Sequence, residues 1–198
     1  MTELLTGRTA VVTGGASGIG RAIAITFAES GGNVVVADLR EDPRGGGIPT
    51  HEHIQAETQA SSHYVECDVT NSSDLVAAVD AADRWGGVDI MVNNAGIARP
   101  ENFFDTTEEE YQQITDVNIK GVFFGSQTAA ERMLQTGEGS IINISSIAGI
   151  AGSSMSMLYS LTKGAVRLFT YSLANQLGSD GIRVNAIHPG FIASEMTH

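Results

Sequence analysis

The chain has 198 residues, 42% of them hydrophobic, with 23 glycines, a single cysteine and a formal net charge of −12. Such a length fits one unit, residues 1–198, able to bury a sizeable core unaided, while a lone Cys67 excludes a disulfide framework or a cysteine-rich metal site. The acidic balance opposes nucleic acid and anionic membranes as partners.

Short β-branched runs alternate with helical patterns along the whole chain. Strands are predicted at 8–13, 33–38, 62–67, 88–93, 140–145 and 182–187, and helices near 18–30, 51–60, 72–85, 108–134 (in two pieces) and 154–177. Asn71 is placed to cap the third helix, Thr107 with Glu110 forms a capping box, and Gly31 and Gly178 sit where helices end. Between the second strand and second helix, EDPRGGGIPT (41–50) reads as a surface loop with Thr50 as the next N-cap. His51 and His53 lie two positions apart on that helix and point to different sides, so no metal site is expected. Strands apolar on both faces, alternating with helices, indicate a doubly wound α/β Rossmann fold: a parallel sheet covered on both faces.

No basic leader precedes the first strand, and no apolar run approaches the ~20 residues of a membrane span, so a soluble cytoplasmic protein is expected. Arginine outnumbers lysine nine to two among the 11 basic residues, against 23 acidic ones. That balance resembles proteins of salt-loving organisms, whose self-repulsion is screened by counterions; a halophilic source is expected, the alternative being an ordinary acidic bacterial enzyme.

The first strand runs into TGGASGIG (13–20) and then a helix. Glycines at 14, 18 and 20 let the backbone turn tightly and approach a ligand, and the helix start offers N–H groups to a pyrophosphate. Asp38 ends the next strand, where a carboxylate bonds the adenosine ribose of a dinucleotide. A 2′-phosphate beside Asp38 would bring like charges together at a cost of about 1–3 kcal/mol, so NAD is preferred over NADP, with Arg40 able to soften that preference. Further on, YSLTK (159–163) puts Tyr159 and Lys163 one helical turn apart on one face.

With these motifs in register come CDV (67–69), NNAG (93–96), VNIKG (117–121), NISSIAG (143–149) and HPGFIAS (188–194). Together they resemble the short-chain dehydrogenase/reductase family over essentially the whole chain. The resemblance implies NAD bound by the backbone around Gly14, Ser17, Gly18, Ile19 and Gly20, with Asp68 and Val69 bordering the adenine and Asn94 and Gly96 on the ribose side. Pro189, Ile192 and Ser194 would clasp the nicotinamide carboxamide, with serine at 194 where threonine is common.

By the same resemblance Tyr159 is the general acid/base, and Lys163 also binds the nicotinamide ribose. An ammonium at ~4 Å and an effective dielectric of ~20 should lower the phenol pKa by roughly three units. Ser146 would bond the substrate oxygen; Ser145 competes from sequence alone, and the family register favours Ser146. Asn118 matches the asparagine that holds a relay water, and His188 reads as a turn residue. The chain stops eight residues after Gly190, where family members continue through a covering segment, a helix and a last strand; a missing C-terminal strand and lid are therefore expected. The implied activity is hydride transfer between a secondary alcohol or ketone and NAD, in a homo-oligomer (dimer or tetramer). The alternatives are an NAD-binding protein without turnover and, fitting less well, an extended-type epimerase or dehydratase.

Overall fold

The computed structural model describes residues 3–100 and 102–192. Strands β1 (Thr9–Thr13), β2 (Asn33–Asp38), β3 (Ser62–Glu66), β4 (Ile90–Asn93), β5 (Gly139–Ile144) and β6 (Ile182–Ile187) form a sheet in the order β3-β2-β1-β4-β5-β6. Every neighbouring pair is parallel. The helices are α1 (Gly18–Glu29), α2 (Thr50–Glu57), α3 (Ser72–Asp80), α4 (Glu108–Thr115), α5 (Gly121–Thr136), α6 (Ala148–Ala151) and α7 (Met157–Leu177).

Register explains the two cores. Val35, Val11, Met91, Ile141 and Val184 pair in one row across five strands. Because side chains alternate along a strand, that row faces one side, where it meets Leu75 and Val79 of α3, Ala129 and Met133 of α5 and Leu177 of α7. The adjacent row, Val36, Val12 and Val92, faces the other side and packs on Ala24 and Ala28 of α1 and Ile54 of α2. Burial of each such Val, Ile or Leu side chain contributes about 1.5–3 kcal/mol. Cys67 joins the first core as a small hydrophobe, its thiol pushed up to about 12 by burial and by the nearby carboxylates of Asp74, Asp68 and Asp38.

The winding runs outward from β1 through β3 and returns to β4 on the other side of β1. This reversal opens a crevice beyond the carboxyl ends of β1 and β4, the place where such sheets bind ligands. At the far edge, β6 alternates buried Ile182 and Val184 with exposed Arg183 and Asn185. Among the described residues no helix is long and apolar enough to cross a membrane, and no cluster of metal-ligating side chains forms.

Most predicted boundaries hold within one or two residues, and the exceptions have local causes. Thr50 is the first residue of α2 rather than its cap; its hydroxyl donates to Ala16 O at 3.2 Å and accepts from the Arg21 guanidinium at 2.9 Å. The predicted 72–85 helix tightens into a 3₁₀ turn at Ala81–Trp85, which Gly86 ends at φ 101°. The 108–134 region does not break; α4 and α5 are joined by a π-helical turn, Asp116–Lys120. Gly178 follows the last residue of α7 as predicted, but it stays right-handed and opens a 3₁₀ turn, so the left-handed stop falls on Gly181. Asn71 and the Thr107–Glu110 capping box stand as predicted.

Candidate active site

The loop between β1 and α1 turns through left-handed Gly14 (φ 65°) and Gly18 (φ 53°). Thr13 anchors it: its hydroxyl accepts the amides of Asn94 at 3.0 Å and Ala95 at 3.1 Å. In return the Asn94 side-chain amide donates to Thr13 O at 2.9 Å and Gly14 O at 3.2 Å. The loop and the NNAG turn therefore brace each other across the switch point. A Cβ on Gly20 would run into Gly14 O and the Asn94 amide, so α1 can pack this closely only with glycine there.

Beyond this brace lies a cavity of about 250 Å³ at the carboxyl ends of the strands. At one end it is lined by Gly14, Ser17, Gly18, Ile19 and Asp38, then by Asp68, Val69, Asn94 and Gly96, and at the other end by Ser146, Tyr159, Lys163, Pro189 and Ile192. The distant sequence motifs thus meet in one crevice. The predicted residues that do not line it are Gly20 and Asn118, while Ser194 lies outside the described residues. The Asp38 carboxylate accepts the Ala16 amide at 3.0 Å and the Arg40 amide at 3.4 Å. Asp68 accepts the amide and hydroxyl of Thr70 at 2.9 and 2.8 Å through one oxygen.

Tyr159 and Lys163 project from the same face of α7, with Nζ 5.6 Å from the phenol ring centroid. Lys163 is buried, and its ammonium donates to Ile144 O at 2.7 Å. Burial pulls its pKa down to about 8. Tyr159 is held above its ordinary value, mainly by burial and against a hydrogen bond with the Ser146 hydroxyl. The expected lowering of the phenol by Lys163 is therefore corrected: desolvation penalises the charged form of both groups, and for Tyr159 it is the larger effect.

The two serines separate as alternation predicts. Ser145 turns its hydroxyl to Lys163 O at 2.8 Å, tying β5 to α7, while Ser146 meets Tyr159 in the cavity. His188 sets Nδ1 3.3 Å from Ser146 O, the geometry of a turn brace rather than a base.

Asn118, fully buried in the π turn, accepts the Ile97 amide at 2.8 Å and donates to Ile97 O at 2.9 Å and the Thr162 hydroxyl at 3.1 Å. It holds the strand-to-helix loop against α7 from behind the cavity.

A nicotinamide dinucleotide is consistent with these residues. Gly14 and Gly18 have no Cβ to obstruct a phosphate, and a Cβ on Gly96 would approach Lys163 Nζ to 3.4 Å. The buried ammonium has three donors, and among the described residues the protein occupies one of them.

The model of the short chain dehydrogenase family matches residues 8–198. The chain belongs to that family. A 3-alpha-(or 20-beta)-hydroxysteroid dehydrogenase of Mycobacterium tuberculosis is 41% identical over 198 residues, 100% of this chain and 74% of the relative. L-2,3-butanediol dehydrogenase of Corynebacterium glutamicum is 41% identical over 191 residues, 96% of this chain and 73% of the relative. The crystal structure of a short-chain type dehydrogenase/reductase from Mycobacterium marinum superimposes with a TM-score of 0.90 at 34% identity, covering 97% of this chain and 76% of that one. As a short-chain dehydrogenase the chain is an oxidoreductase that uses a nicotinamide cofactor, and its relatives are dehydrogenases of CH–OH groups.

Sequence reasoning missed the bracing roles of three residues that hold this site together. Thr13, Thr50 and Ser145 spend their hydroxyls on backbone groups of other segments. For Thr13 and Ser145 the one signal available was a small polar residue at the end of an apolar strand, which in a buried position must find a partner.

Proposed function

We propose that the protein is a cytoplasmic, homo-oligomeric, NAD-dependent oxidoreductase that moves a hydride between a secondary alcohol or ketone and the cofactor, with Tyr159 as general acid/base. The observation carrying this reading is that Ser146, Tyr159 and Lys163 meet in the same cavity as the glycine-rich loop and Asp38. Residues 1–198 then act as one binding and catalytic unit.

Oxidised nicotinamide supplies the hydride acceptor and a positive ring charge. The protein's part is to hold and move a proton. Ser146 orients the substrate oxygen toward the phenol, and Tyr159 takes the hydroxyl proton during oxidation or returns it during reduction. Lys163 offers its spare donors to the nicotinamide ribose and keeps positive charge beside the phenol. Asn118 positions Thr162 and the Ile97 loop around that pair. At the other end Asp38 accepts from the adenosine ribose, which favours NAD over NADP by like-charge repulsion. The backbone around Gly14, Ser17, Gly18 and Ile19 holds the pyrophosphate, Asp68 and Val69 border the adenine, and Pro189 and Ile192 flank the nicotinamide.

Substrate preference leans to apolar molecules. Phe103 and Phe104 follow β4, Ile147 and Ile150 follow β5, and Phe191 follows β6, all exposed at the carboxyl edge of the sheet. The hydroxysteroid relative, named for a bulky apolar alcohol, supports the same leaning. Exposed Phe123 and Leu134 on α5, with Leu161, Leu168 and Tyr171 on α7, support self-association through these helices.

A panel of secondary alcohols and ketones, offered with NAD(H) and NADP(H) while reduced-nicotinamide absorbance is followed, tests the activity. Turnover of an apolar member with NAD is expected. Binding of NAD with no turnover of any member would instead support a sensing or assembly role.

A further inference from the structure

The segment 39–49 departs from a plain surface loop in one respect: it is fastened to the phosphate-binding turn. Arg44 donates its amide to the Ser17 hydroxyl at 2.8 Å, across 27 positions of sequence. Gly46 donates to Pro43 O at 2.9 Å, closing a turn with Arg44 at its first corner, and Pro43 is buried beneath it. From the other end, Thr50 is bonded to Ala16 O and Arg21. Gly46 (φ 77°) and Gly47 (φ 101°) supply the left-handed backbone that brings the chain back to α2.

This fastening makes Arg44 part of the cavity wall, beside Ser17 and Asp38. Among the described residues that line the cavity, Arg44 and Lys163 are the cations. Lys163 is committed to the Tyr159 end. Arg44 forms no ion pair with any described carboxylate, and the glycine-rich loop itself, Thr13 to Gly20, carries no basic side chain. A dinucleotide bound to a chain of net charge −12 thus meets, among the described residues lining the phosphate end, one cationic side chain, that of Arg44.

We propose that Arg44 is a cofactor-binding residue: its guanidinium closes over the pyrophosphate from the 39–49 loop and supplies the counter-charge that the glycine-rich loop lacks. This assignment rests on the dinucleotide reading of the cavity. A guanidinium suits the role because its planar fork can bond two phosphate oxygens at once. The loop acts as a tethered strap, with Ser17 setting where the cation sits.

Calorimetric titration of adenosine, ADP, 2′,5′-ADP and NAD into the unaltered protein, Arg44→Gln, Arg44→Lys and Arg40→Gln tests it. Arg40 lies on the same loop without lining the cavity, so Arg40→Gln removes equal charge as a control. Arg44→Gln is expected to weaken ADP and NAD by a common factor of about five to twenty, to leave adenosine unchanged, and to raise KM for NAD with kcat unchanged. Arg44→Lys should recover part of the loss, and Arg40→Gln should bind adenosine, ADP and NAD as the unaltered protein does, any change being confined to 2′,5′-ADP. Equal ADP affinity in Arg44→Gln and the unaltered protein overturns the assignment. So does an equal loss of ADP affinity in Arg40→Gln, or a loss in Arg44→Gln confined to 2′,5′-ADP, which would assign the guanidinium to the 2′ position. If the unaltered protein binds neither ADP nor NAD, the dinucleotide reading itself fails and takes the Arg44 assignment with it.

Discussion

The ammonium of Lys163 donates to the main-chain oxygen of Ile144 at 2.7 Å, so the cation at the heart of the site is held by the end of a strand rather than by a carboxylate. Burial lowers its pKa to about 8, against 10.5 for an ordinary lysine. Between these values the unfolded chain binds more protons than the folded one, so this group makes stability rise with pH across that window. Below about pH 8 the folded state bears the full cost of the buried charge. Lys163→Met should therefore be more stable than the parent at pH 7 by about 1–2 kcal/mol, allowing for the carbonyl left without a donor. The advantage should shrink as pH rises toward 10.5. Urea unfolding of both proteins across that range checks it, and turnover should be lost in the variant.

Asp38 holds the glycine-rich loop through the Ala16 amide, so removing the whole side chain would confuse structure with selectivity. Asp38→Asn removes the charge while its one amide oxygen can still accept the Ala16 amide, at the expense of the longer bond from Arg40. The ratio of kcat/KM for NADP to that for NAD should rise by about tenfold to a hundredfold. Steady-state kinetics with each cofactor at a fixed substrate concentration gives the ratio directly.

Two helical glycines should respond in opposite ways to alanine. At Gly125 a Cβ would collide with Asn93 Oδ1 and approach Met91 Cε to 3.1 Å, where α5 lies on β4. Gly125→Ala should cost about 1–3 kcal/mol despite the better helix propensity of alanine. At Gly164 the nearest atom, Gly149 O, is 3.7 Å away. Gly164→Ala should add about 0.5–1 kcal/mol. Denaturant midpoints of the two variants decide it.

The acidic surface gives a salt prediction. With 23 acidic and 11 basic residues, self-repulsion in dilute buffer should be relieved as the screening length shortens. If the protein comes from a salt-loving source, its thermal midpoint should climb steadily from about 0.1 M to about 1 M KCl. A flat response would mark an ordinary acidic enzyme.

The sheet and its flanking helices could be read from sequence because the β-branched runs of β1, β2 and β4 are buried on both faces and α3 and α4 carry side-chain caps. Asn71 and the Thr107–Glu110 pair mark their helices in sequence and in space alike. The cavity was legible for a different reason: glycines that must adopt left-handed backbone, and a tyrosine and lysine one turn apart, are local facts.

What stayed hidden depends on contacts between distant segments. The Thr13–Asn94 brace spans 81 positions and the Arg44–Ser17 tether 27. Asn93, Ser126, Asn143 and Thr170 form a buried network linking β4, β5, α5 and α7, which no local pattern announces. The misjudged phenol had the same origin. Spacing put a lysine beside Tyr159, but only the packed structure shows that burial acts on both groups and that the ammonium turns to Ile144.

The central claim is that the Tyr159 hydroxyl carries the substrate's proton, and Tyr159→Phe tests it with the loss of one oxygen atom. Turnover by this variant, measured with NAD and a substrate of the parent enzyme, should fall by about a hundredfold to ten-thousandfold while NAD affinity changes little. A variant that binds NAD and turns over at the parent rate would contradict the account.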